Sequence, residues 1–152
     1  MQAMLGEKTV LQHTLDAVRA SGLPWHLEAA GHPGMGDSIA AAVRATPDAS
    51  GWLIVLGDLP LIRASTLQAL AKALSLHDVV IPTYNGQRGH PVGFSARCRG
   101  PLLGLTGDQG AASVVKMYGA TLILLDDAGI TSDIDTVADL QRVLELMTSF
   151  KS

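Results

Sequence analysis

The stretch Gly51-Trp52-Leu53-Ile54-Val55-Leu56-Gly57-Asp58-Leu59-Pro60 decides the fold class. Residues 52–56 form an unbroken apolar run of strand length between two glycines, the pattern of a central strand covered by helices on both faces. A strand that ends in Gly-Asp carries a carboxylate, Asp58, at its carboxyl end, where Gly57 permits close approach of backbone or ligand. The plainer alternative is a turn that Asp58 caps and Pro60 stiffens.

On the N-terminal side, Val10, Leu11, Leu15 and Val18 recur at helical spacing, and Ser21-Gly22-Leu23-Pro24 stops that helix. Trp25 to Ala30 predicts a short strand. The glycines and proline of residues 31–36 then lead into an Ala-rich helix opening near Asp37 or Ser38 and running from Ile39 to Ala45.

On the C-terminal side, the loop Gly57 to Arg63 precedes a helix through Leu74, with Ser65 and Gln68 spaced as a capping box. Val79-Val80-Ile81 predicts a second buried strand, and Thr83 to Pro91 a turn-rich segment around Asn85-Gly86. A helix over Ala111 to Tyr118, a strand over Thr121 to Leu125 and a last helix from Thr136 along Val137, Leu140, Val143, Leu144 and Met147 complete the pattern. Helices alternating with short apolar strands predict an α/β fold with a doubly wound, mostly parallel sheet. Ligands of such sheets bind at the carboxyl ends of the strands, here the loops after Leu56 and Leu125.

Length and composition fit this reading. A chain of 152 residues is expected to fold as one unit over residues 1–152. Hydrophobic residues make up 47% and charged residues 16%, which excludes a disordered chain. With only 4% aromatic residues, Leu, Val, Ile and Ala must fill the interior. The net charge of −3, without any stripe of Lys and Arg, argues against nucleic-acid binding. Cys98 is the single cysteine, so it is expected to be an ordinary reduced thiol of a cytoplasmic protein. No leader-like or membrane-spanning apolar run is visible, so no membrane association is expected.

Several acidic and polar residues then become candidates. Ser132-Asp133-Ile134-Asp135-Thr136 brings two carboxylates after the last strand, spaced so that one faces a cleft while Ile134 faces the core. Mg²⁺ takes oxygen ligands, commonly one or two carboxylates plus substrate phosphates, so Asp58 with Asp135, assisted by Asp133, suits nucleotidyl transfer. Helix capping by Asp133 or Asp135 is the competing explanation. His90, held between Gly89 and Pro91, lies where neither a helix nor a central strand hides it and is a substrate-contact candidate. Gly36 and Ser38 open a helix and Asp108-Gln109 precedes another, positions whose amides can face a nucleotide or anion. His13, His26, His32 and His77 form no constellation.

In order along the chain, these segments resemble the MobA-like nucleotidyltransferases, the family of the CTP:molybdopterin cytidylyltransferases and their GTP-using counterparts. The matching pieces are Val10 to Gly22, Gly34 to Ser38, Leu56 to Leu61, Arg88 to Val92, Thr106 to Ala111 and Asp133 to Leu140. The resemblance implies a Rossmann-like, GT-A-like nucleotidyltransferase fold. It also implies attack by a pterin phosphate on the α-phosphate of CTP or GTP, with Mg²⁺ holding the phosphates and pyrophosphate leaving. Asp58 and Asp135 would then be catalytic metal ligands with Asp133. Gly36, Ser38 and Gly57 would lie near the nucleotide, and Gly89, His90, Pro91, Asp108 and Gln109 on the molybdopterin side. A molybdoenzyme is an implied partner.

Members of the family begin with a strand and a Gly-rich phosphate loop ending in Lys, whereas this sequence starts at Met1-Gln2-Ala3-Met4-Leu5, where that loop ends. The segment between Pro24 and Gly34 is also shorter than usual. An N-terminally truncated member with weak or no transferase activity is therefore expected, and pyrophosphate release at the rate of a longer chain is the result that contradicts it. Three other readings share these motifs: transfer to another phosphorylated small molecule, a non-catalytic module that binds or delivers molybdenum cofactor, and an α/β regulatory domain whose carboxylates are all caps.

Overall fold

The computed structural model describes residues 4–5, 8–28, 34–56, 61–107, 109–131 and 145–150. In chain order the strands are β1 (Met4–Leu5), β2 (Lys8–Thr9), β3 (Trp25–Glu28), β4 (Gly51–Leu56), β5 (Val79–Tyr84), β6 (Gln87–Arg88), β7 (Val92–Ser95), β8 (Thr121–Leu124) and β9 (Glu145–Phe150). The helices are α1 (Val10–Ala20), α2 (Met35–Ala45), α3 (Ala64–Ala73), α4 (Arg99–Leu103) and α5 (Ala112–Tyr118). Short 3-10 turns cover Ala96–Cys98 and Ala128–Thr131.

Strands β1 and β2 form a separate two-stranded ribbon, while the main sheet has the order β3-β9-β4-β7-β5-β6, with β8 also beside β5. The α/β class is as expected, and β3, β4, β5 and β8 run in one direction. The sheet is nevertheless mixed. Strand β9 lies antiparallel between β3 and β4, β7 lies antiparallel between β4 and β5, and among the described residues the one parallel ladder is β5 with β8.

Alternation along the strands divides the interior in two, as the period of two requires. Leu53, Val55 and Val80 face α1 and α3, where Leu15, Val18, Leu67, Leu70 and Ala71 cover them. Trp52, Ile54, Val79 and Phe94 face the opposite way, against Ile39 and Val43 of α2, Leu102 of α4 and Val114 of α5. Fully burying such a side chain contributes roughly 1.5–3 kcal/mol, which is why these two apolar faces hold the helices in place.

Several elements differ from the sequence reading. Strand β7 was not anticipated because it is four residues long and contains a glycine. That glycine is required by packing: a Cβ on Gly93 would lie 2.7 Å from Val80 Cγ2 and 2.9 Å from Leu53 Cδ2. Ser65 is not a cap. Helix α3 begins after Arg63, and Gln68 Nε2 donates to Ser21 O at 2.9 Å rather than returning to the helix start. Met147, expected on a last helix, belongs to β9 instead, paired with Ile54 and His26, while the other residues expected on that helix lie outside the described ones. Strand pairing overrides helical periodicity here because β9 satisfies backbone groups on both its edges.

The Thr83–Pro91 segment resolves into a hairpin. Strand β5 continues to Tyr84, and Asn85 and Gly86 both take positive φ, 51° and 78°, the conformation of the tight turn that joins twisted antiparallel strands. Cys98 is buried beside Asp78, its thiol 3.6 Å from the Asp78 carbonyl oxygen. Burial pushes the thiol above its ordinary 9.0, with Asp78 adding to the rise against the lowering hydrogen bond of Ser95. Above that ordinary value the unfolded chain loses the proton first, so folding stability falls as pH climbs from there through the raised folded value. Urea melts between pH ~8 and ~10 are therefore expected to show a steeper loss of stability in the wild type than in Cys98→Ala. Equal slopes would show that the thiol ionises alike in both states.

Candidate active site

The co-directional strands end at Glu28, Leu56, Tyr84 and Leu124. Between α2, α5 and the sheet face of Trp52 lies a cleft of about 770 Å³. Ile39, Ile54, Ile81, Val92 and Phe94 line it with apolar surface, and Arg88, His90 and Lys116 are also among its lining residues. Apolar walls with a few polar groups fix the orientation of a small ligand without many hydrogen bonds.

His90 meets the expectation that its side chain is not hidden: it is exposed and lines the cleft. Its position is set by backbone. His90 N donates to Ile130 O at 2.9 Å and Gly89 N donates to Pro82 O at 2.8 Å. Gly89 must lack a side chain there, because a Cβ would lie 2.5 Å from Ile130 O. Pro91 is buried behind it, and the His90–Pro91 peptide bond is cis.

Gly34–Ser38 and Thr106–Gly110, far apart in sequence, meet in space. Gly36 N donates to Gly107 O at 2.8 Å, and Gly107 N donates to Asp37 Oδ2 at 3.0 Å. A Cβ on Gly36 would lie 2.7 Å from Gln109 O and 2.8 Å from Thr106 O, so this glycine serves the junction of two loops. Ser38 does not open its helix, since α2 begins at Met35. Its hydroxyl donates to Gly34 O at 3.3 Å. Gln109 closes its own loop, with Oε1 accepting from Thr106 N at 3.0 Å. Its neighbour Gly110 reaches the cleft, whereas Asp108 lies outside the described residues.

Gly57, Asp58, Asp133 and Asp135 also lie outside the described residues, so the geometry available concerns their flanks. Leu56 pairs with Glu145 in the β4–β9 ladder, and Leu61 O sits against Gly129 so closely that a Cβ there would collide with it. Both ends of segment 57–60 therefore adjoin chain that bounds segment 132–144, on one or the other side. Among the described residues, no three His, Cys, Asp or Glu side chains group as a metal site. No helix among them is long and apolar enough to cross a membrane.

Two features were not anticipated from the sequence. Lys116 is on α5, three residues from Ser113, and both line the cleft, a helical spacing that marks one face only once the helix is docked. Asp127, just past β8, is buried and accepts hydrogen bonds from Arg63 N, Thr66 Oγ1 and Gly129 N. An acidic residue at the carboxyl end of a strand was the available signal.

Comparison with known proteins narrows the chemistry. The family model described as MobA-like NTP transferase domain matches residues 3–122. Among curated proteins, the chain is 32% identical over 120 residues to the purine catabolism protein PucB of Bacillus subtilis, covering 76% of this chain and 58% of PucB. It is 33% identical over 93 residues to the bifunctional protein GlmU of Marinobacter nauticus, covering 59% of this chain and 20% of GlmU. The chain thus spans less than two thirds of either relative. Rv0371c of Mycobacterium tuberculosis has a similar fold, with a TM-score of 0.73 at 22% identity over 93% of this chain and 86% of that one. An Rv0371c homologue from Mycobacterium sp. strain JC1 gives 0.72 at 25% identity, over 93% and 84%.

Proposed function

This chain belongs to the MobA-like NTP transferase family, and from that premise we propose that it transfers CMP or GMP from CTP or GTP to molybdopterin, as one domain over residues 1–152. The setting would be molybdenum cofactor biosynthesis in the cytoplasm, with a molybdoenzyme as recipient of the product. The observation that carries the reading is the cleft between α2, α5 and the sheet. Its apolar walls suit a fused ring, and Arg88, His90 and Lys116 suit the phosphate of such an acceptor.

In this reading an oxygen of the acceptor's phosphate attacks the α-phosphorus of the nucleotide, a phosphorus–oxygen bond forms, and the bond to pyrophosphate breaks. Such transfer depends mainly on positioning and charge neutralisation. The backbone of Gly89 and His90, tied to Pro82 and Ile130, holds the acceptor side rigid. Arg88 and Lys116 neutralise the acceptor's negative charge. The Gly34–Ser38 stretch, locked to Gly107, bounds the nucleotide side.

Asp58, Asp133 and Asp135 are an all-carboxylate donor set that fits Mg²⁺, and the adjacency of Leu56 with Glu145 and of Leu61 with Gly129 supports their convergence. When bound, Mg²⁺ supplies charge neutralisation on the phosphates.

Thermal melts with CTP or GTP and Mg²⁺, followed by assays of pyrophosphate release with molybdopterin, test the reading. A ligand at 100 times its Kd is expected to add about 2.7 kcal/mol of stability, readable as a raised Tm. Release with a sugar phosphate in place of molybdopterin would instead identify another acceptor. Binding of molybdopterin without any release would identify a non-catalytic delivery module.

A further inference from the structure

We propose that Asp127 is a positioning residue: its buried carboxylate ties the end of the Asp58 loop to the His90 loop, so that the two loops are held in register. The tie is argued from geometry alone, and only its catalytic consequence rests on the nucleotidyl-transfer reading above.

The Asp127 side chain is 2% exposed, and both of its oxygens are occupied. Oδ2 accepts from Arg63 N at 3.1 Å and from Thr66 Oγ1 at 2.6 Å. Oδ1 accepts from Gly129 N at 2.8 Å and lies 4.0 Å from Arg63 Nε. Arg63 Nη1 adds a bond to Asp126 O at 3.1 Å. Arg63 is the residue before α3 and makes no side-chain cap of its own, so Asp127 supplies from a distant segment the acceptor that a helix start requires. A carboxylate is suited to that place twice over, since it accepts several bonds and its charge complements the positive end of the helix dipole.

The other half of the tie leaves from the same turn. Ile130 N donates to Asp127 O at 3.3 Å, closing the turn, and Ile130 O then accepts from His90 N at 2.9 Å. The contacts are too close to permit sliding, because Gly129 abuts Leu61 O and Gly89 abuts Ile130 O with no room for a Cβ at either. Residues 61–66 thus contact Asp127 and Gly129 of the turn, and residues 89–90 contact Ile130 beside them. A cap that served α3 alone would have no reason to contact the His90 loop through its own turn.

Hydrogen exchange and steady-state kinetics on Asp127→Asn test the proposal. Asparagine keeps the size but exchanges one acceptor oxygen for a donor, so Gly129 N on one side and Arg63 N with Thr66 Oγ1 on the other cannot all remain bonded. Amides in residues 57–66 and in residues 86–92 are expected to exchange about tenfold faster together, while those of β4 and β5 keep their wild-type protection. With a transferable nucleotide, kcat is expected to fall about tenfold with KM for the nucleotide changed less than about threefold, since positioning and not ground-state binding is lost. Thr66→Val should move both readouts in the same direction by less, and Thr66→Ser should restore them. It also decides the matter if Asp127→Asn does not fold. Faster exchange confined to residues 61–66 and 126–131, or spread evenly over the sheet, would overturn the proposal. A wild-type chain with no transfer to any acceptor would count against the functional reading only, because the exchange pattern still judges the tie.

Discussion

Asp58→Ala is expected to lower kcat/KM for nucleotidyl transfer by about 10²–10³-fold or more, the loss typical of removing a preorganised group that stabilises transition-state charge. That range corresponds to about 3–4 kcal/mol of transition-state stabilisation. Asp58 follows Leu56 by two residues in the sequence, after β4, a strand whose residues from Gly51 to Val55 are buried. Removing a carboxylate that serves the site and not the packing should leave the melting temperature of the unliganded protein almost unchanged. Loss of activity with retained stability therefore identifies a site residue, and the gain in Tm from nucleotide with Mg²⁺ should disappear in the same variant. Activity within about threefold of wild type would remove Asp58 from the catalytic machinery.

Trp52→Ala should cost about 3–5 kcal/mol of stability, the range of a large aromatic deleted from a core. Trp52 is fully buried between α2, α4 and the sheet, opposite Phe94 in the β4–β7 ladder. Its indole Nε1 donates to Thr46 Oγ1 at 2.9 Å, and the Arg99 guanidinium carbon lies 5.3 Å from its ring centroid. Arg99 also donates to Pro47 O and Ala49 O, so the ring helps hold the segment that feeds β4. Arg99 Nε is buried with no hydrogen-bond partner, which leaves the ring face as part of its compensation. Trp52→Phe keeps most of the volume and should cost distinctly less. Urea denaturation measures both; equal, small losses would show that the strand tolerates an emptied core.

The buried strand at residues 51–56 was legible because a run of apolar residues between glycines leaves few alternatives. Helices α1, α3 and α5 were legible from the sequence, to within a residue or two at most ends. The exposure of His90 followed from its place between Gly89 and Pro91 in a turn. Other features were hidden for identifiable reasons. β7 depends on Gly93 fitting between Val80 and Leu53, a contact between elements, so no local propensity announces it. Ser65 and Gln68 have capping-box spacing, yet the helix start uses Asp127, which is more than sixty positions away. Met147 carries a helical apolar period but pairs in β9, because the vacant edges of β3 and β4 outweigh local preference.

The sequence by itself determined the alternation of strand and helix and the family resemblance, since each follows from periodicity or from short ordered motifs. Only the tertiary structure decided that the Gly34 and Thr106 loops interlock, that Arg88, His90 and Lys116 share one cleft, and that Asp127 joins two loops. Those outcomes depend on which backbones come within contact distance after the strands pair, and a linear pattern does not encode that distance.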